Sequence, residues 1–186
     1  MAWACRVSPA VANRCVESCK GLLLKFIPDV YIYADHATGK KSGKSPGFGV
    51  ALSAETTTGS FLSAEITSKP AKTEGPKEPT VPEHLGLDAA KFLLEEIFRG
   101  GCVDSTSQSL ALLLAALGPK DVSRVVTGPL TDYTVNFLRH LKDFFEVVFK
   151  LEKFSASEGE ELNLGADKVL LTCVGVGFTN LSKRTT

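Results

Sequence analysis

The chain has 186 residues, 44% of them hydrophobic and 23% charged, which is enough for one ordinary globular domain or two small ones. Twenty-one basic residues balance 21 acidic ones, so no global field draws it to nucleic acid or an anionic membrane, and any RNA contact must come from a local patch or a partner. The N-terminus lacks a signal-peptide pattern and no apolar run approaches the roughly 18 residues of a membrane span, so the expectation is a soluble intracellular chain with no membrane partner.

In chain order, residues 2–8 read as a short strand stopped by Pro9. Residues 9–26 carry Val11, Val16, Leu22, Leu23 and Phe26 among polar positions, an amphipathic helix that ends near Pro28. The β-branched and aromatic run Val30–Ala34 predicts a strand, and a loop rich in Gly, Ser and Lys follows from His36 to Pro46. Gly49–Thr56 and Ser60–Thr67 predict a hairpin turning at Thr57-Thr58-Gly59. Residues 68–82, with Pro70, Pro76, Pro79 and Pro82, read as a mobile surface loop. A helix over Glu83–Phe98 breaks at Gly100-Gly101, the candidate domain boundary, and a second helix covers Asp104–Leu117. Then come a strand (122–127), a helix (131–145), a strand (146–153), an acidic loop (155–167) and a last strand (168–176). The order β-α-β-β-β-α, then α-β-α-β-β, belongs to a two-layer α+β fold.

The five cysteines, Cys5, Cys15, Cys19, Cys102 and Cys173, are odd in number and form no Cys-x-x-Cys pair. Cys15 and Cys19 lie one helical turn apart, but no histidine follows at finger spacing, so buried or reduced structural thiols are expected and no metal. Thr38-Gly39-Lys40-Lys41-Ser42-Gly43-Lys44-Ser45 resembles a phosphate-binding P-loop but departs from it twice. Three residues instead of four separate Gly39 from Gly43, and Pro46-Gly47 stands where a helix should start. A basic loop touching RNA backbone through Lys40, Lys41 and Lys44 is one reading, and a solvated loop the other.

Val122–Val126 runs into Thr127-Gly128-Pro129 and then a helix that begins near Thr131. Tyr133 falls just inside that helix, among unpaired backbone N–H groups that suit a phosphate. A histidine there would be a competent nucleophile. A tyrosine, with a phenol pKa of about 10, is a poor one at neutral pH. Asp104 and Gln108 lie one turn apart, open either to nucleotide contact or to helix capping. Arg139, His140 and Lys142 cluster on the Tyr133 helix, either as an RNA cleavage or contact group or as a solvated face.

Four segments carry a family resemblance: Ser42-Gly-Lys-Ser-Pro-Gly-Phe-Gly49 with Ala54-Glu-Thr-Thr-Thr-Gly59, Arg99-Gly-Gly-Cys-Val-Asp-Ser-Thr-Ser-Gln108, Thr127-Gly-Pro-Leu-Thr131 and Cys173-Val-Gly-Val-Gly-Phe-Thr-Asn180. Together, in order, they resemble the RNA 3′-terminal phosphate cyclase family, in particular its cyclase-like branch in eukaryotic ribosome biogenesis. The resemblance implies the cyclase fold, with residues 1–100 as the family's insert domain and 101–186 as the C-terminal part of a core α/β repeat. It places Met1 at an internal family position, so sheet edges and apolar helix faces made for absent neighbours should be exposed.

True cyclases adenylylate a histidine and pass AMP to a terminal RNA phosphate, and by resemblance that histidine falls at Tyr133. Ser109-Leu110 stands where active cyclases hold the nucleotide with an Asp-Gln pair. Both departures argue against cyclase chemistry, and no cofactor is expected. The cyclase-like branch implies a nucleolar component of the small-subunit processome that binds a GTPase assembly factor and pre-rRNA and is needed for cleavages leading to 18S rRNA. The alternative the resemblance leaves open is an RNA-processing enzyme, an endonuclease using Arg139, His140 and Lys142 or a residual cyclase.

Overall fold

The computed structural model describes residues 1–69, 79–154 and 165–179. Its elements are β1 (Ala2–Cys5), α1 (Pro9–Leu23), β2 (Ala34–Ala37), β3 (Gly47–Glu55), β4 (Phe61–Thr67), α2 (Pro82–Arg99), α3 (Gln108–Leu117), β5 (Val122–Thr127), α4 (Asp132–Phe145), β6 (Lys150–Phe154) and β7 (Lys168–Val174). The order of helices and strands is the one the hydrophobic periods predict, in an α+β fold. Two compact units emerge, Met1–Thr56 with Leu62–Ile97, and Thr57–Phe61 with Phe98–Thr186.

In the first unit the strand order is β2-β1-β3-β4, with β1 parallel to β2 and antiparallel to β3. Pro9 opens α1 from the N-cap Ser8, where its missing N–H costs nothing. Ala12, Cys15, Cys19 and Leu23 fall on one stripe of α1, and Leu85, Ala89, Ala90 and Leu93 on one stripe of α2. Both stripes pack on Ala2, Ala4, Val50 and Leu52 of the sheet. The two helices approach closely at Gly86, where a Cβ would stand 2.6 Å from the Cys15 carbonyl oxygen. The Cys15 thiol donates to the Pro82 carbonyl at 3.2 Å and the Cys19 thiol to the Gly86 carbonyl at 3.1 Å. Burial pushes both thiols up to about 11, with the Glu83 carboxylate adding to it at Cys15. All five cysteines are free, and Cys102 is exposed.

Three boundaries differ from the sequence reading. The strand expected at Val30–Ala34 lies at Ala34–Ala37, because Ala2 of β1 pairs with Ala34 and pairing sets the register. Tyr31 and Tyr33 therefore stay exposed, and of this run the Tyr33 carbonyl accepts from Ala2 N. The helix expected from Asp104 starts at Gln108, since Asp104 closes a turn through its backbone and side-chain oxygens, both accepting from Ser107 N. The strand expected from 146 starts at Lys150. Glu146 ends α4 in the left-handed region (φ 57°), and Val147 and Phe149 turn into the core before pairing with β7 begins. The hairpin turn carries Gly59 at φ +80°. Residues 70–78 of the expected surface loop and 155–164 of the acidic loop lie outside the described residues.

The second unit's sheet runs β5-β7-β6, antiparallel throughout; α3 packs on it and against α4, which adds Leu141 to the same core. Leu112, Ala116, Leu141, Leu171 and Cys173 form its core. After Gln108 and Ser109, the α3 segment Leu-Ala-Leu-Leu-Leu-Ala-Ala-Leu is apolar all round, and its Leu110 and Leu114 remain 58% and 63% exposed. Among the described residues, no helix is long and apolar enough to cross a membrane.

Candidate functional site

The β5-to-α4 turn is assembled from backbone that only glycine allows. Gly101, at φ +98°, pairs with Thr127, and a Cβ on it would stand 2.5 Å from Gly128 N. A Cβ on Gly128 would in turn stand 2.9 Å from the carbonyl oxygens of Arg99 and Gly100. Cys102 N donates to the Val126 carbonyl at 2.9 Å and completes the clasp. The Gly-Gly break after α2 and the Gly-Pro turn after β5 are thus two halves of one backbone contact.

Thr131 caps α4, its Oγ1 accepting from Thr134 N at 3.1 Å. Beneath the cap lies Gln108, 1% exposed. Its Nε2 donates to the Pro129 carbonyl at 3.1 Å, and its Oε1 accepts from Thr134 Oγ1 at 2.9 Å and from Thr131 N at 3.4 Å. Asp104, also buried, accepts from Ser107 N and Thr106 Oγ1. The Gln108 amide is thus engaged in holding the β5–α4 turn, and Asp104 in closing its own turn at 104–107. Thr127 Oγ1 is buried there, with no hydrogen-bond partner among the described residues.

Tyr133 sits in the first turn of α4, 68% exposed, its ring stacked on Phe137 with centroids 6.3 Å apart and planes 14° from parallel. Asp132 precedes it and complements the helix dipole from within the chain, where a bound anion would otherwise do so. A helix advances about 100° per residue. With Thr134 and Leu141 on the core side, that step puts Tyr133 and His140 on one flank and Arg139 and Lys142 on the other. All four are exposed, and Arg139 Nη1 donates to Asn136 Oδ1 at 2.9 Å. The helix therefore pairs two cations but does not gather His140 with both of them. That arrangement suits phosphate contact better than concerted proton transfer.

In the first unit, Lys40 and Lys41 ride a single 3-10 turn, Gly39–Ser42, closed by Ser42 Oγ donating to the Gly39 carbonyl at 2.8 Å. Lys40 and Lys44 are exposed, and the side chain of Lys41 lies outside the described residues. Sequence reasoning passed over Arg6, whose Nε donates to Ser42 Oγ at 3.2 Å and to the Gly43 carbonyl at 2.7 Å. A lone cation at a strand end gives no sequence signal, because its partner loop is 36 residues away. Thr134 was missed as well, although Thr131-x-x-Thr134 has cap spacing. Among the described residues, no group of three His, Cys, Asp or Glu side chains is placed to hold a metal.

Residues 1–98 match the family model of the RNA 3′-terminal phosphate cyclase insert domain. The chain is 61% identical over 183 residues to the "RNA 3′-terminal phosphate cyclase-like protein" of Homo sapiens, covering 98% of this chain and 48% of that relative. It is 54% identical over 184 residues to the "Probable RNA 3′-terminal phosphate cyclase-like protein" of Drosophila melanogaster, with the same two shares, 98% and 48%. To the "rRNA processing protein rcl1" of Schizosaccharomyces pombe it is 38% identical over 181 residues, covering 96% of this chain and 45% of that protein. The chain spans about half the length of the curated relatives it matches.

Proposed function

The chain belongs to the RNA 3′-terminal phosphate cyclase family, and from that premise we propose that it is an rRNA-processing factor without cyclase activity. In this reading it works in the nucleolar small-subunit processome, in the cleavages leading to 18S rRNA, by binding a GTPase assembly factor and pre-rRNA. Residues 1–100 act as the insert domain and 101–186 as the C-terminal part of a core repeat. The S. pombe relative's name, an rRNA processing protein, supports the process.

The observation that carries the absence of cyclase chemistry is the α4 N-terminus. An exposed phenol stacked on Phe137 stands where the resemblance puts a cyclase's histidine, beside an acidic Asp132. A phosphorus–nitrogen linkage is a good AMP donor, and no histidine is present in this turn to form one. Ser109-Leu110, with Leu110 exposed to solvent, offers no carboxylate or amide to a nucleotide.

Two measurements test the reading. The chain incubated with labelled ATP forms no covalent AMP adduct; a labelled adduct mapping to Tyr133 would overturn the loss of cyclase chemistry. Depletion of the protein in cells leads to accumulation of uncleaved 18S precursors, and a normal precursor pattern would overturn the processing role. A second reading, direct RNA cleavage, draws on the exposed Arg139–Lys142 flank of α4. It expects Arg139→Ala with Lys142→Ala to abolish cleavage while capture of the GTPase persists.

A further inference from the structure

We infer that Arg6, Lys40 and Lys44 form a preorganised contact site for the phosphate backbone of single-stranded RNA at one end of the first unit's sheet. The inference deepens the pre-rRNA reading above and rests on it for the choice of RNA as the polyanion. Arg6 follows the last residue of β1, and its backbone N donates to the Ala37 carbonyl just past the pairing with β2. Its own backbone is left-handed, at φ 54°, a conformation that costs about 1 kcal/mol for a side chain of this kind. The tether on the other side is the Nε donation to Ser42 Oγ and the Gly43 carbonyl.

These contacts consume the Nε and leave both terminal guanidinium nitrogens without an acceptor among the described residues. A guanidinium fixed through one edge offers its outer nitrogens to an oxyanion in a fork, and little side-chain entropy remains to be lost on binding. Lys44 immediately follows the Gly43 that holds Arg6, and Lys40 sits in the 3-10 turn that Ser42 closes. Neither lysine has an ion-pair partner among the described residues. The sequence is also free of carboxylates from Met1 to Val16 and from His36 to Ala54, so no acidic residue in either segment offsets the three cations. On a chain of zero net charge, this local excess is what a polyanion would meet.

Trp3, the one tryptophan, lies on β1 three residues before Arg6, roughly 10 Å away, and reports on the site. The test is a fluorescence titration of the 186-residue chain with a uridine oligonucleotide of about 12 nucleotides, at several salt concentrations. Three phosphate contacts give a slope of log K against log[salt] of about −2, at about −0.7 per contact on a single strand. Lys40→Ala with Lys44→Ala brings the slope to about −0.7 and weakens binding at least about 10-fold, with the circular dichroism unchanged. Arg6→Lys keeps the charge but loses the fork and also weakens binding, whereas Lys91→Ala on α2 leaves it unchanged.

No binding by the unaltered chain overturns the inference, as does full affinity in both the lysine and the Arg6 variants. Competition by polyglutamate as effective as that by unlabelled RNA also overturns it, because the site would then be a general acidic-peptide surface. The titration does not depend on rRNA processing. RNA binding through these residues with normal 18S precursors after depletion sinks the processing reading and leaves the site standing. A precursor defect with no binding does the reverse.

Discussion

Replacing Gln108 by leucine should unlock the β5–α4 turn at nearly constant volume. The side chain is 1% exposed and makes three hydrogen bonds, at 3.1 Å to the Pro129 carbonyl, 2.9 Å from Thr134 Oγ1 and 3.4 Å from Thr131 N. The first two are of ordinary length and worth about 1 kcal/mol each, while the third is long and worth less. Thr134 Oγ1 keeps its 2.8 Å contact with Thr131 Oγ1, but the half-buried Pro129 carbonyl loses its donor, at a further cost of about 1 kcal/mol. Burying a leucine in place of the amide returns about 1–2 kcal/mol. The net expectation is a loss of about 2 kcal/mol, which is about 2 M in the urea midpoint of a unit this small. Far-UV circular dichroism should show the shift, and Trp3 fluorescence, which reports the first unit, should not. A change below about 0.5 kcal/mol would refute the claim that Gln108 holds the turn.

The opposite sign is expected one residue before the Gly-Pro turn. Thr127→Val, nearly isosteric, removes a buried hydroxyl that has no partner among the described residues and should stabilise the second unit by about 1 kcal/mol; a measured loss would show that the hydroxyl is satisfied. Gly86→Ala places a Cβ 2.6 Å from the Cys15 carbonyl oxygen. The overpacking cost of about 1–3 kcal/mol exceeds the gain of about 1 kcal/mol in helix propensity, so the denaturation midpoint read by Trp3 should fall.

Cys15 and Cys19 titrate at about 11 in the folded chain, above the ordinary thiol value of about 8.5. The unfolded chain therefore releases these protons first, and the stability they contribute is fully present below about pH 8.5 and lost as pH rises toward 11. The midpoint read by Trp3 should drop across that window. At neutral pH, exposed Cys102 should react with iodoacetamide well before either buried thiol.

The Gly-Gly break and the Gly-Pro turn were legible as punctuation, because only glycine tolerates φ +98° at Gly101 and the close approach at Gly128. That the two breaks form one contact was not legible, since no local pattern records that residues 99–101 meet 127–128. Asp104 and Gln108 carried the right chemistry for a polar site. Their burial came from tertiary packing, which leaves Gln108 holding the β5–α4 turn and Asp104 closing the turn at 104–107.

Periodicity alone determined the α+β order, because each amphipathic stripe and each alternating strand buries one face whatever it packs against. The four motif segments likewise carried the family resemblance without coordinates, and with it the expectation that a cyclase's histidine falls at Tyr133. Tertiary structure decided what depends on distant partners. The strand at 30–34 moved to 34–37 because β1 sets its register. Tyr133 became an exposed ring stacked on Phe137. Arg6 acquired a role only because the chain folds Ser42 and Gly43 against its guanidinium. Propensity and pattern are local properties, whereas register, burial and the company a charge keeps are set by residues far along the chain.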